Sequence, residues 1–164
     1  MRSFFLASIA IFMMACSRSF TDSRGLTYSA ISATSSDSLT TTVTIRNDGS
    51  RTAGLTLGGS CPVAIVVYAG STGGTQTAVW DQGAWRARTG VACSSTPQLV
   101  SISRGESREY SSSVAVADVL GDSLPAGSYS FVARIAFQLG GINVPAGEGT
   151  LGTEGGAFAP QRAP

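Results

Sequence analysis

Hydrophobic residues recur at every second position over much of this chain, which is the pattern of a β-strand with one buried face. Val43 and Ile45 alternate with threonine and arginine, and Leu55 and Leu57 repeat the alternation after a short Asn-Asp-Gly-Ser sequence. Asn, Asp and Gly tolerate the positive φ angles of a tight turn. Residues 39–57 therefore predict a β-hairpin.

Short apolar runs broken by Gly, Ser and Pro continue this pattern along the chain. Residues 63–68 form a continuously apolar run and predict a central strand that is buried on both faces. Residues 129–139 carry an apolar side chain at every second position, and the Gly140–Gly141 pair after them predicts a hairpin turn. Further strands are predicted at residues 26–33, 77–80, 99–102 and 110–119, with Trp80 as a core anchor.

Composition favours one all-β domain and argues against nucleic-acid binding. The chain has 164 residues and 20 glycines, and 43% of its residues are hydrophobic. All 11 basic residues are arginine, the net charge is +1, and no long run of either sign occurs. A nucleic-acid-binding protein usually carries a clustered basic face. We therefore expect no nucleic-acid partner.

The first residues predict export. Residues 4–14 form an apolar run after Arg2; the run is shorter than the roughly 20 residues that span a bilayer, and it fits a signal-peptide core. Residues 13–17, Met-Met-Ala-Cys-Ser, resemble the lipobox of bacterial lipoproteins. That resemblance implies a signal peptide at residues 1–15 and a lipid on Cys16, and Ser17 after it implies the outer membrane of a Gram-negative cell. Ordinary cleavage after residues 15–17, which would give a secreted protein, is the alternative.

The domain organisation follows from these features. We expect residues 16–25 to be the lipid anchor and a polar tether, and residues 26–150 to form the globular domain. Residues 151–164 are rich in Gly, Pro and Ala and predict a disordered tail. The protein would contact the membrane only through its N-terminal lipid, and two acyl chains or more would hold it stably.

Two cysteines remain besides Cys16. Cys61 and Cys93 in an exported chain predict a disulfide. The bond would close a loop of about 33 residues and stabilise the fold by roughly 3–4 kcal/mol on the chain-entropy model. A reactive thiol pair is the alternative, but the Cys-X-X-Cys spacing and any Lys or His that could lower a thiol pKa are missing.

One motif could indicate an enzyme. Residues 121–124, Gly-Asp-Ser-Leu, spell the nucleophile block of the GDSL lipases and esterases, in which the serine needs a histidine as general base. This chain has no histidine, which also removes the usual zinc sites. Asp118 and Asp122 could share a cation with Glu106 or Glu109. Nothing in their spacing resembles a calcium loop, so we expect these residues to be solvated acids. We predict no enzymatic activity, no cofactor and no metal.

The order of several short motifs resembles the BsuPI family of bacterial proteinase-inhibitor domains over about residues 39–135. In that family a strand ending in Asn-x-Gly precedes a Val-Trp strand, a Pro-Gly-Glu-like turn and a Pro-Gly-x-Tyr turn. The corresponding segments are residues 43–50, 79–80, 102–107 and 124–129. The resemblance implies an immunoglobulin-like antiparallel β-sandwich, of about 7–9 strands, and it implies proteinase inhibition.

The longest irregular segment is predicted at residues 81–98. It carries Trp85, Arg86 and Arg88, and Cys93 would pin it. Trp and Arg are frequent anchors in protein interfaces, and a preorganised loop suits a proteinase inhibitor. The alternative is an ordinary sandwich loop with Trp85 folded onto the core and two solvated arginines.

These observations predict a monomeric, lipid-anchored protein-binding module of the cell envelope. The alternative function is a proteinase inhibitor that presents residues 81–98 to a protease.

Overall fold

The computed structural model describes residues 19–70, 77–121 and 124–152. The predicted signal peptide with Cys16 lies outside the described residues. So do Asp122 and Ser123 of the Gly-Asp-Ser-Leu motif and residues 153–164 of the predicted tail.

The described residues contain ten strands and two short helices. In chain order they are β1 (Phe20–Thr21), β2 (Leu26–Thr34), β3 (Ser38–Asn47), β4 (Ala53–Leu57), β5 (Val63–Ala69), β6 (Ala78–Asp81), α1 (Gln82–Thr89), β7 (Gln98–Ile102), β8 (Ser107–Ala115), α2 (Val116–Leu120), β9 (Gly127–Ala136) and β10 (Gly141–Leu151).

Two four-stranded sheets form the body of the protein. The first has the order β1-β2-β3-β8 and the second the order β10-β9-β5-β6, and every pair is antiparallel. This is an immunoglobulin-like β-sandwich, so the predicted fold class is confirmed. The strand number exceeds the predicted range because β1 and a separate two-stranded ribbon of β4 and β7 are added to the sandwich.

The core lies between the inward faces that the period-two pattern predicted. Val43, Ile45, Ile65 and Val67 are fully buried, and Trp80 is 8% exposed. Strand β5 lies between β9 and β6, which agrees with its predicted central position.

The turn into β9 is held by a tyrosine. The Tyr129 hydroxyl donates to the Pro125 carbonyl four residues upstream. A tyrosine at the start of this strand that bonds back to the preceding backbone is a tyrosine corner, a hallmark of immunoglobulin-like sandwiches.

The predicted hairpin at residues 39–57 is wrong. Strand β3 pairs with β2 and β8, and β4 pairs with β7 instead. The buried Asn47 redirects the chain here, because its side-chain amide donates to the carbonyls of Arg51 and Ile102 and its oxygen accepts the Gly49 amide. Both edges of β3 are occupied, so β4 joins a different sheet.

The predicted tether belongs in part to the domain. Strand β1 pairs with β2, so the sheet begins before residue 26. The Asp22 carboxylate accepts bonds from the Arg24 guanidinium, the Leu26 amide and the Tyr28 hydroxyl. Burial and the neighbouring Asp22 raise the pKa of Tyr28 to about 12. The phenol therefore remains a hydrogen-bond donor at neutral pH.

Three other predicted boundaries are corrected. Strand β8 ends at Ala115 and α2 begins at Val116, so residues 116–119, which the sequence predicted as strand, are helical. Strand β9 ends at Ala136, and Leu139 in the following turn is 94% exposed. The predicted hairpin between β9 and β10 is confirmed, and β10 extends to the buried Leu151 beyond the predicted domain end.

Candidate binding groove at helix α1

Helix α1 occupies the first half of the segment that the sequence predicted to be irregular. The Asp81 carboxylate caps its N-terminus by accepting from the Gly83 and Ala84 amides. Gly90 ends the helix in the left-handed conformation, with φ of 73°, and its amide bonds to the Arg86 carbonyl. These caps satisfy backbone groups that a helix end leaves open. The prediction of a loop over residues 82–89 was therefore wrong.

Two polar side chains one turn apart fasten α1 to both sheets. Gln82 is 1% exposed, and its Oε1 accepts from the Ile65 amide at 3.0 Å and the Ser112 hydroxyl at 2.7 Å. Arg86 donates to Ser112 Oγ at 2.8 Å and to the Val63 carbonyl at 3.3 Å. Burial lowers the pKa of Arg86 from its usual value. Arg86 is thus held against the sandwich, whereas the sequence placed it in a partner-binding loop.

The other face of α1 forms one wall of a groove. The rings of Trp80 and Trp85 lie 6.2 Å apart between centroids, with their planes at 43°. Both side chains line a groove of about 330 Å³ between α1, β6 and α2, to which Val119 adds an apolar surface. Trp80 is buried and Trp85 is half-buried. Trp85 therefore packs on the core and still faces the groove.

Two opposite charges face this groove from different helices. Arg88 of α1 and Asp118 of α2 both line it, and both are exposed. The ion pairs of the described residues join other partners, and neither side chain forms a hydrogen bond within the described segments. Both charged groups are therefore available to a ligand. The sequence analysis weighed Asp118 as a cation ligand and expected a solvated acid. It did not place Asp118 beside α1, because that proximity depends on the fold.

One residue that lines the groove has a buried donor without an acceptor. The indole Nε1 of Trp80 is buried and has no hydrogen-bond partner among the described residues. A buried donor that lacks a partner costs about 1–3 kcal/mol. This unfavourable burial occurs at a residue that lines the groove.

The predicted disulfide is confirmed. Cys61 and Cys93 are bonded, with their Cα atoms 5.6 Å apart.

Residues 90–97, which we call the strap, are exposed along their whole length. Besides the disulfide, the Ser60 amide donates to the Ser94 carbonyl and Ser60 Oγ accepts the Ser94 amide. The strap lies directly against Gly59, because a Cβ atom added to Gly59 would lie 2.0 Å from the carbonyl oxygen of Ser94.

The described residues contain neither a cluster placed to hold a metal ion nor a membrane-spanning helix. No group of three or more His, Cys, Asp or Glu in these segments is placed to hold a metal ion. Within the same segments, no helix has the length and apolar character needed to cross a bilayer.

Comparison with known proteins yields similarity to solved structures only. No family model matches the sequence, and no curated protein matches it significantly. A β-glucosidase from Kluyveromyces marxianus in complex with glucose aligns with a TM-score of 0.41 and 11% identity, over 78% of this chain and 14% of the enzyme. β-Glucosidase 3B from Thermotoga neapolitana in complex with glucose gives 0.38 and 13%, over 77% of this chain and 17% of the enzyme.

A Northeast Structural Genomics Consortium target aligns over 85% of this chain and 95% of its own length, with a TM-score of 0.37 and 14% identity. The chain thus spans less than a fifth of either β-glucosidase. At TM-scores below 0.5, these likenesses carry no argument about function.

Proposed function

We propose that this protein is a lipid-anchored β-sandwich of the cell envelope that binds a protein partner through the groove at helix α1. The observation that carries the proposal is the pair Trp80 and Trp85 beside the charges of Arg88 and Asp118, which form no ion pair with any described residue. Trp and Arg supply much of the binding energy in many protein interfaces. A volume of about 330 Å³ also lies within the range of known ligand sites.

The anchor in this proposal rests on the lipobox-like sequence around Cys16. Metabolic labelling with an alkyne fatty acid tests it, since the lipid should be incorporated into the unaltered chain and lost in Cys16→Ala. Labelling that never occurs would leave a secreted protein in place of an anchored one, and labelling that persists in the variant would place the lipid on a residue other than Cys16.

Site-specific photo-crosslinking in the native cell tests the binding role. A photo-reactive residue replacing Trp85 should capture a discrete protein. The same residue replacing Ile31 is the control, because Ile31 is 56% exposed on β2, in the sheet that does not include β6. Capture at neither position, or the same products at both, would contradict a specific partner at the groove.

A proteinase inhibitor is the second candidate, and the strap favours it. Its exposed residues are braced by a disulfide and by backbone bonds to Ser60, and such preorganisation increases the affinity of an inhibitory segment. Oxidised residues 17–164 should inhibit a serine protease of a trypsin-like and subtilisin-like panel stoichiometrically. Val91→Glu in the strap should weaken inhibition, and Leu139→Glu, an exposed apolar position outside the strap, should not. Absence of inhibition across the panel would remove this candidate.

A further inference from the structure

We infer that the groove at helix α1 binds an extended, proline-containing peptide that carries a basic residue close to the proline. The inference rests on the proposed binding role of the groove and specifies the chemistry of its ligand. Three observations carry it: the aromatic lining, the donor without an acceptor, and the free charges.

The aromatic lining suits a polyproline-type ligand. Proline-rich segments adopt an extended left-handed helix without internal hydrogen bonds, and they dock into grooves lined by aromatic side chains. The half-buried Trp85 provides such a surface, and Trp80, which is 8% exposed, borders the groove beside it at an interplanar angle of 43°.

The unpartnered donor complements the same ligand. In this extended conformation, carbonyl oxygens of the peptide are free to accept hydrogen bonds. The Trp80 Nε1 group is a donor with no acceptor in the described residues. A peptide carbonyl that reached this donor would remove an existing cost of burial.

The charges specify the side chains of the ligand. The Asp118 carboxylate lines the groove and has no cationic partner in the part of the chain that the structure describes, so it favours a basic residue on the peptide. Arg88 lines the same groove from α1 and offers its guanidinium to peptide carbonyl oxygens. Planar donors of this type bind such oxygens well.

The sequence of this chain provides a suitable probe. Residues 157–164 read Ala-Phe-Ala-Pro-Gln-Arg-Ala-Pro and combine two prolines with one arginine. Trp80 and Trp85 are the two tryptophans of the protein, and the peptide has none. Tryptophan emission of oxidised residues 17–164 therefore reports directly on the groove when the synthetic octapeptide is titrated.

We expect a saturable change in emission. Asp118→Arg should weaken binding roughly threefold to tenfold, the range for losing an exposed ion pair and adding repulsion. Glu109→Arg is the matched control, because Glu109 is exposed on β8 and does not line the groove. A peptide with glutamate in place of arginine should bind the Asp118→Arg variant better than the unaltered protein. Circular dichroism checks that both variants fold.

Each outcome bears on the inference. Tighter binding to a chain carrying Pro160→Ala and Arg162→Glu would show that its own residues 157–164 compete for the groove, which supports the inference. No emission change in either chain overturns it, as does equal weakening by Asp118→Arg and Glu109→Arg. If crosslinking at position 85 still captures a protein, the proposed function stands and the peptide specificity alone fails.

Discussion

Ser112 Oγ donates a 2.7 Å hydrogen bond to Gln82 Oε1, and this contact joins helix α1 to strand β8 of the first sheet. The same Gln82 oxygen accepts the Ile65 amide of β5 in the second sheet. One buried side chain therefore connects the two layers of the sandwich and sets the position of the helix that carries Trp85 and Arg88.

Removing the polar end of Gln82 should destabilise the whole domain. Gln82→Met keeps the side-chain volume but leaves the Ile65 amide and the Ser113 carbonyl without their partner. We expect a loss of about 2–4 kcal/mol in the free energy of unfolding, measured by urea denaturation. Gln98→Met at an exposed position of β7 is the control and should change stability by less than about 0.5 kcal/mol. Equal effects of the two substitutions would contradict the bridging role of Gln82.

We expect Arg86 of α1 to contribute to stability and Arg88 to contribute to partner binding. Arg86→Ala removes bonds to Val63 and Ser112 and should cost about 1–3 kcal/mol of unfolding free energy. Arg88→Ala should leave stability within about 0.5 kcal/mol and reduce capture of the partner by the photo-reactive residue at position 85. Thermal melts and crosslinking yields of both variants measure this. An unstable Arg88→Ala variant would show that Arg88 also has a structural role.

The disulfide should stabilise the fold by restricting the unfolded chain. Cys61 and Cys93 are separated by 32 positions, so the chain-entropy model predicts that removing the bond costs roughly 3–4 kcal/mol. Urea denaturation with and without dithiothreitol measures the difference. A Cys61→Ser, Cys93→Ser double variant should match the reduced protein and should not respond to dithiothreitol. A response in that variant would point to an effect of the reductant unrelated to this bond.

The Asp22 cluster should make stability depend on acid pH. Burial, the largest single effect, would raise the pKa of Asp22, but the bonds from Arg24, Leu26 and Tyr28 together outweigh it and hold the pKa below 3.8. A carboxyl whose pKa is depressed in the folded state adds stability above its unfolded pKa, and this stability is lost as the pH falls through the folded value.

Asp22→Asn tests this pH dependence. The variant should be less stable than the unaltered protein by about 1–2 kcal/mol at pH 7, and the difference should shrink as the pH falls below about 3.8. Urea denaturation from pH 7 to pH 2 measures it, with the exposed Asp37→Asn as control. A constant difference across this range would show that the charge of Asp22 is not responsible.

The sequence predicted the strands better than their partners. Alternating burial is a local property, so β3, β5 and β9 and their buried faces were visible in the period-two pattern. The pairing partner of β4 depends on contacts between residues that are distant in sequence. The side-chain amide of Asn47 donates to the carbonyl of Ile102, 55 positions away, at the end of the strand that pairs with β4. Nothing in the turn sequence reveals that contact.

The sequence contains capping signals for helix α1, but the low helix propensity of the segment led to the prediction of a loop. Asp81 before the helix and Gly90 after it are good capping residues, and Arg86 and Arg88 occupy its last turn. Eight residues with a glycine at the second position form a weak helix on their own. The partners of Gln82 lie 17 to 31 positions away along the chain, and they provide the stability that local propensity lacks.

By itself the sequence determined the all-β class, the buried faces of most strands and the Cys61–Cys93 disulfide, because alternation and the number of available thiols are properties of the chain alone. Only the tertiary structure decided that Trp80, Trp85, Arg88 and Asp118 share one groove. It also decided that Arg86 points into the sandwich. Those assignments depend on how α1 and α2 pack against strands distant in sequence, and burial of polar groups is favourable only where such packing supplies their hydrogen-bond partners.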